Sequence, residues 1–297
     1  MADRELFDDE FLRRLQRLGM LAKRMAPAPS AGGHRRGRRL GDGLEFADHR
    51  AYAPGDDIRF LDWPYYARME RLLLRLFHEH SEGAVSLLLD ASASMSAGQV
   101  RKFDYARRTA AALSYVAMVS LDRVQVLPFA ESLGEGIRTG RNSGQILRVL
   151  DFLSPLPCGG RTRLDVAVDQ FLRRGGHAGT VIVLTDAMDL GEDLSPALAA
   201  LRRHGDEVIL LHVADPFDAS PPVAGPVQLE GLEAGERLTV HVTDAVLAEY
   251  RRQWDRFAAA VERTCLARGT VYVRAPTSAP FEKLVLLTLQ RAGMAQR

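Results

Sequence analysis

Ala84-Val85-Ser86-Leu87-Leu88-Leu89 runs directly into Asp90-Ala91-Ser92-Ala93-Ser94-Met95-Ser96. An uncharged, Leu-rich run bounded by a polar turn is the signature of a strand buried on both faces. Such a strand belongs to a parallel sheet covered by helices, and the sequence to either side supplies the remainder. Two further apolar runs, TVIVLT at 180–185 and EVILLHV at 207–213, read the same way, and RVQVLPF at 123–129 reads as a strand with Pro128 near its end.

Helical spacing is found between them, over 102–121, 145–153, 164–174 and 194–204. Alternation of this kind requires right-handed crossovers. The expected fold is therefore α/β and Rossmann-like, with a mostly parallel central sheet and helices on both faces. Beyond Asp215, 227–229 and 237–242 flank GLEAGE as a hairpin, and a helix over 244–266, a strand over 270–274 and a helix over 281–291 complete the chain.

Upstream, Phe7, Phe11, Leu12, Leu15, Leu18, Ala22 and Met25 recur at steps of three and four, with Asp8, Asp9 and Glu10 ahead of the arginines. This predicts an amphipathic helix that ends at Pro27 and packs on the domain. Residues 27–43, PAPSAGGHRRGRRLGDG, mix Pro, Gly, Ser and Arg and are expected to form a flexible linker. The predicted organisation is a helix and linker over 1–42, a charged and aromatic segment over 43–82 that packs on the sheet, and the α/β domain over 83–297.

The 297 residues are 46% hydrophobic and 26% charged, with a net charge of +1. This composition describes an average globular protein, and it provides no chain-wide field to recruit nucleic acid or an anionic membrane. Only Lys23, Lys102 and Lys283 are lysines among 39 basic residues, which reads as a coding bias. Cys158 and Cys265 stand far apart without further Cys or paired His, which suggests neither a disulfide framework nor a zinc site. The acidic start, MADRELFDDEF, and the lack of an apolar stretch near ~18 residues lead us to expect a cytoplasmic protein with no membrane span.

In an open parallel sheet, ligands sit at the carboxyl ends of the strands where the winding reverses. There the sequence places Asp90, Ser92 and Ser94 after the first buried strand and Asp186 after TVIVLT. Between them lies a turn, Cys158-Gly159-Gly160-Arg161-Thr162, that carries one more hydroxyl. Hard oxygen donors without Cys or His suit Mg²⁺, or Mn²⁺. The set is short of carboxylates, so an acidic side chain of a partner could complete it. The plainer alternative is that Ser and Asp after a strand are helix-cap residues; the joint occurrence in three loops argues against caps alone.

These residues carry a resemblance. DASAS, then Thr162 and Asp186 in order, resemble the metal-ion-dependent adhesion site of von Willebrand factor A domains. Gly43-Leu44-Glu45-Phe46, the run from Arg50 to Arg59 (RAYAPGDDIR) and Asp62-Trp63 resemble the bacterial family called domain of unknown function 58. The resemblance implies that Asp90, Ser92, Ser94, Thr162 and Asp186 hold the ion, although Arg161 stands where a small residue often precedes the Thr. It also implies a partner, a MoxR-type AAA+ ATPase, with this chain as adaptor or assembly chaperone and no known reaction. Arg50, Tyr52, Asp56, Asp57, Arg59, Asp62 and Trp63 are expected to form a structural brace or partner surface, with the acids of the Pro54-Gly55-Asp56-Asp57 turn paired to Arg50 and Arg59.

An enzyme is the alternative: two Asp around Mg²⁺ also describe phosphohydrolases in which Asp90 would be the nucleophile. The acid expected two residues on is Ser92, and no His or Lys lies in that loop. Nucleotide-binding patterns are absent, since Gly134 and Gly136 lead to Thr139 and no Lys follows Gly. His78-Glu79-His80 reads as a turn or strand edge rather than a metal pair, and His34 to Arg39 as a solvated linker or a contact for an acidic partner.

Overall fold

Phe11, Leu15, Leu18 and Ala22 lie on one stripe, and that stripe is the buried side of helix α1 (Asp9–Met25). Asp8 Oδ1 accepts the Phe11 N–H at 2.6 Å, and Asp9 and Glu10 in the first turn complement the helix dipole. The computed structural model describes residues 6–25, 35–41, 45–53, 56–81, 83–140, 142–176, 179–188, 194–232 and 237–295. The chain forms two units, Pro27–Gly83 and Met1–Ala26 together with Ala84–Arg297.

The smaller unit contains strands β1 (Arg35–Gly41) and β2 (Glu45–Ala51), helix α2 (Trp63–Met69) and strand β3 (Leu73–Ser81). Its sheet is antiparallel in the order β1-β3-β2. The linker expected over 27–43 is thereby corrected at Arg35–Gly41. A ladder to β3 satisfies the backbone whatever the side chains are, and an antiparallel sheet needs apolar residues on one face only. Residues 78–80 lie in β3, the central strand of that sheet, so the turn or strand edge expected there is corrected: β3 is paired on both sides, with β1 and with β2. Pro54, Gly55 and His34 fall outside the described residues.

The main unit continues through β4 (Ala84–Asp90), α3 (Lys102–Val119), β5 (Arg123–Phe129), β6 (Ile137–Thr139), α4 (Ile146–Leu153), α5 (Leu164–Arg173), β7 (Thr180–Thr185) and α6 (Leu194–His204). It ends with β8 (Glu207–Ala214), α7 (Pro216–Ala219), β9 (Gly225–Glu230), β10 (Arg237–Val242), α8 (Asp244–Ala267), β11 (Val271–Pro276) and α9 (Phe281–Ala295). The central sheet has the order β11-β8-β7-β4-β5-β6 and is parallel except for β6, which pairs antiparallel with β5. β9 and β10 form the expected hairpin.

Why the strands read as unbroken apolar runs is visible in the two cores. Leu87, Leu89, Ile182, Leu184, Ile209 and Leu211 pack against α1, α3, α4 and α9. Leu88, Val181, Val183, Val208 and Leu210 face the other way, against α5, α6 and α8. Successive side chains thus enter opposite cores, each buried Leu contributing about 1.5–3 kcal/mol. This is the doubly wound, Rossmann-like arrangement expected from the alternation of strands and helices. The chain winds from β4 outward to β5 and β6, then crosses to β7 on the other side, so the winding reverses between β4 and β7. Asp90 ends one of these strands and Asp186 follows the other.

Candidate metal centre

Asp90 is fully buried at the end of β4. Its Oδ1 accepts the Ser92 N–H at 2.9 Å and its Oδ2 accepts the Thr185 hydroxyl at 2.5 Å. Asp186, also fully buried, accepts the Met188 N–H at 3.1 Å and the Ser94 hydroxyl at 3.3 Å on Oδ1. The Ser92 and Ser94 hydroxyl oxygens are 3.1 Å apart. Each carboxylate therefore makes the short turn-type bond that the cap alternative requires, and each also reaches across to the other strand end, Asp90 to Thr185 and Asp186 to Ser94.

The turn that carries Thr162 is stitched to the Asp90–Ser94 loop by three bonds. Gly159 N–H donates to the Ala91 carbonyl at 2.7 Å, Ala93 N–H to the Gly160 carbonyl at 2.9 Å, and the Cys158 thiol to the Ser92 carbonyl at 3.0 Å. Gly160 has φ of +81°, a left-handed conformation in which a side chain would be strained. Thr162 is brought in behind it, buried, and its Oγ1 has no hydrogen-bond partner among the described residues. All five predicted ligands thus belong to loops joined at one sheet edge.

Electrostatics add what the sequence did not suggest. Burial, and then the neighbouring Asp186 carboxylate, push the Asp90 carboxyl up to about 7. Lys102, the first residue of α3, is also buried and extends its Nζ to Asp186 Oδ2 at 2.7 Å and to Asp218 Oδ1 at 3.3 Å. Burial works against its ammonium, but the two carboxylates outweigh this and raise its pKa above the ordinary lysine value. Asp218 is itself held by a capping box, in which its Oδ2 accepts the Asp215 N–H at 2.8 Å.

Lys102, Asp218 and Thr185 are the site residues that sequence reasoning missed. One signal was present: a lysine at position 102 in a chain that otherwise almost always uses arginine. A compact ammonium suits a closed pocket between two carboxylates better than a guanidinium fork does.

The oxygens of Asp90, Ser92, Ser94 and Asp186 gather here, the two carboxylates crowd one another, and on the adjoining loop a buried hydroxyl lacks a partner among the described residues. These residues fit a hard divalent cation such as Mg²⁺ or Mn²⁺. Among the described residues no three His, Cys, Asp or Glu side chains gather as a metal set, so any ion here would depend on hydroxyl ligands.

The second group of predicted residues lies in the smaller unit. Arg50 Nη2 donates to Asp56 Oδ1 at 2.7 Å, and Arg59 forms a forked pair with Asp57, as expected of the two arginines. Asp57 caps the turn at Ile58–Phe60 and Asp62 caps α2 while accepting His49 Nε2 at 2.9 Å. Tyr52 joins through its N–H to the Leu72 carbonyl at 3.1 Å. Trp63 is 57% exposed and, among the described residues, has Tyr66 edge-on to it at 6.3 Å, which is less packing than was expected for it.

A model of the family described as protein of unknown function DUF58 matches residues 48–262. The chain belongs to this family. The matched span of this DUF58 chain contains both residue groups and also Lys102 and Asp218. The uncharacterized protein Rv1480 of Mycobacterium tuberculosis is 30% identical over 233 residues, spanning 77% of this chain and 71% of the relative. The uncharacterized protein Mb1516 of Mycobacterium bovis matches to the same extent.

Among solved structures, the DUF58 chain is similar to an aerotolerance-related membrane protein from Bacteroides fragilis, with 18% identity and a TM-score of 0.46 over 71% of this chain and 99% of that one. BatB from Bacteroides thetaiotaomicron gives 20% and 0.44 over 71% and 99%, and the SpRpn10 VWA domain 9% and 0.38 over 69% and 94%. Among the described residues of the DUF58 chain, no helix is long and apolar enough to cross a membrane.

Proposed function

We propose that this DUF58 chain is a non-enzymatic protein-interaction module dependent on Mg²⁺ or Mn²⁺. Asp90, Ser92, Ser94, Thr162 and Asp186 hold the ion, and a carboxylate of a protein partner completes its shell. The observation that carries this reading is the buried Thr162 hydroxyl, without a partner among the described residues, on a loop bonded to that of Asp90. A buried polar group without a partner costs about 1–3 kcal/mol, and a buried carboxylate pair costs more, so a ligand that engages them is favoured.

A bound divalent ion supplies positive charge and an electrophilic position for an incoming anionic oxygen. Ser94 is the one member of the five that is only partly buried, so approach is from its side. Arg101 precedes Lys102 and Arg161 precedes Thr162, and both are exposed enough to favour an acidic partner. The partner class follows from the sequence resemblance: a MoxR-type AAA+ ATPase, for which this chain acts as adaptor or assembly chaperone. Capture of that ATPase by the wild-type chain is expected to be lost with Asp90→Ala and lost again with chelator. Equal recovery in all three overturns the proposal.

One observation favours the enzyme alternative, since Lys102 is a basic group beside the carboxylates. It is 1% exposed and committed to Asp186 and Asp218, which leaves it unable to meet a substrate. Purified protein with Mg²⁺ is expected to leave phosphomonoesters, ATP and peptides intact. Turnover that Asp90→Asn abolishes would reverse the ranking.

A further inference from the structure

Lys102 occupies a position that two physical effects oppose. It is 1% exposed, so its ammonium has lost its hydration, and it opens helix α3, where the dipole favours an acidic residue. What retains it there is the pair of carboxylates on either side, Asp186 at 2.7 Å and Asp218 at 3.3 Å. Asp186 is divided between two environments: its Oδ2 faces Lys102, while its Oδ1 faces Ser94 and the ligand loop. Asp218 is anchored independently by its capping box on α7, and Asp215 of that box is held in turn by the Thr277 hydroxyl at 2.6 Å. The ammonium is therefore fixed against one of the proposed ion ligands from a support outside the centre.

We propose that Lys102, anchored by Asp218, is a resident countercharge of the centre: it holds Asp186 in place when no divalent ion is bound and lowers the centre's own affinity for one. This inference rests on the metal-centre reading above. Lys102 sets one fixed positive charge against Asp186 and Asp218, and Asp186 in turn neighbours Asp90, so the three carboxylates share a single countercharge. Removing that charge leaves all three to attract a divalent ion, whereas removing Asp218 leaves the ammonium less compensated and more repulsive to it. A weakly held ion in turn makes occupancy dependent on the carboxylate that a partner adds.

The test is Mn²⁺ binding by titration calorimetry at fixed pH and ionic strength, together with thermal unfolding in chelator and in Mn²⁺. The full chain is compared with Lys102→Met, Asp218→Asn and Asp90→Ala. Lys102→Met is expected to bind Mn²⁺ at least about 10-fold more tightly than wild type and to show the larger Mn²⁺-induced rise in Tm. Asp218→Asn is expected to bind several-fold more weakly than wild type. Folding of Lys102→Met only when Mn²⁺ is present supports the same conclusion, and if that variant folds under no condition, the direction of the Asp218→Asn change decides. Wild-type affinity in both variants, or weaker binding by Lys102→Met, overturns the countercharge while leaving the metal centre standing. Absence of Mn²⁺ binding from every folded variant, wild type included, overturns the metal-centre reading and this inference with it.

Discussion

Lys102 and Asp186 in the main unit are 2.7 Å apart with side chains 1% and 0% exposed, while Arg59 and Asp57 in the smaller unit are 2.5 Å apart at 81% and 39%. By geometry alone the two ion pairs rank together. Water separates them. Arg59 and Asp57 both remain open to water and are screened, so closing the pair changes little. Lys102 and Asp186 have surrendered theirs, so each depends on the other and on Asp218. A short ion pair thus says little about stability until its exposure is known.

The largest expected effect is therefore at Lys102. In chelator, Lys102→Met should lower the unfolding free energy by roughly 3–5 kcal/mol, because two buried carboxylates lose their counterion. Chemical denaturation measures this, and a loss below about 1 kcal/mol would break the contrast between the two pairs. A second buried group sharpens it. His212 sits in β8 with Nδ1 at 2.8 Å from the Tyr272 hydroxyl, packed against Trp254 and Phe257, and burial holds its pKa down to about 4.

In the native state His212 stays neutral down to pH near 4, whereas in the unfolded chain it takes up its proton below about 6.5. Its contribution is thus complete above about pH 6.5 and is lost as pH falls towards 4, about 3 kcal/mol in all. His212→Gln should flatten that part of the pH profile, and an unchanged slope would assign it to other groups. The smallest effect is expected at the exposed pair: Arg59→Ala should leave the thermal midpoint within experimental error, and a clear drop would show that the smaller unit uses this arginine for more than a surface pair.

Much of the fold was legible before the structure. Alternating burial into two cores requires the runs at AVSLLL, TVIVLT and EVILLHV, and those runs are strands. The segment around Arg35–Gly41 was not legible, because its pairing with β3 is made by backbone groups that leave no apolar mark. The short β6 was hidden for a related reason, as three residues on a sheet edge carry too few side chains to show a period. At the site, Asp90, Ser92, Ser94 and Asp186 were legible as residues that follow a buried strand, whose end can be located from its last apolar residue, and Thr162 as the hydroxyl of a Gly-rich turn that opens a helix. Lys102 was passed over, because the scarcity of lysine read as a coding bias and its two partners lie far along the chain.

Local chemistry along the main unit was enough to locate its long buried strands and its long helices, and to show that oxygen-bearing side chains emerge where the winding reverses. Periodicity and turn chemistry act over a few residues, and those features need no more range than that. The partnership of Lys102 with Asp186 and Asp218 spans 84 and 116 residues. It exists only because β7 and β8 lie side by side and α3 begins at their shared edge, and the order of strands in a sheet is decided by packing of the whole unit.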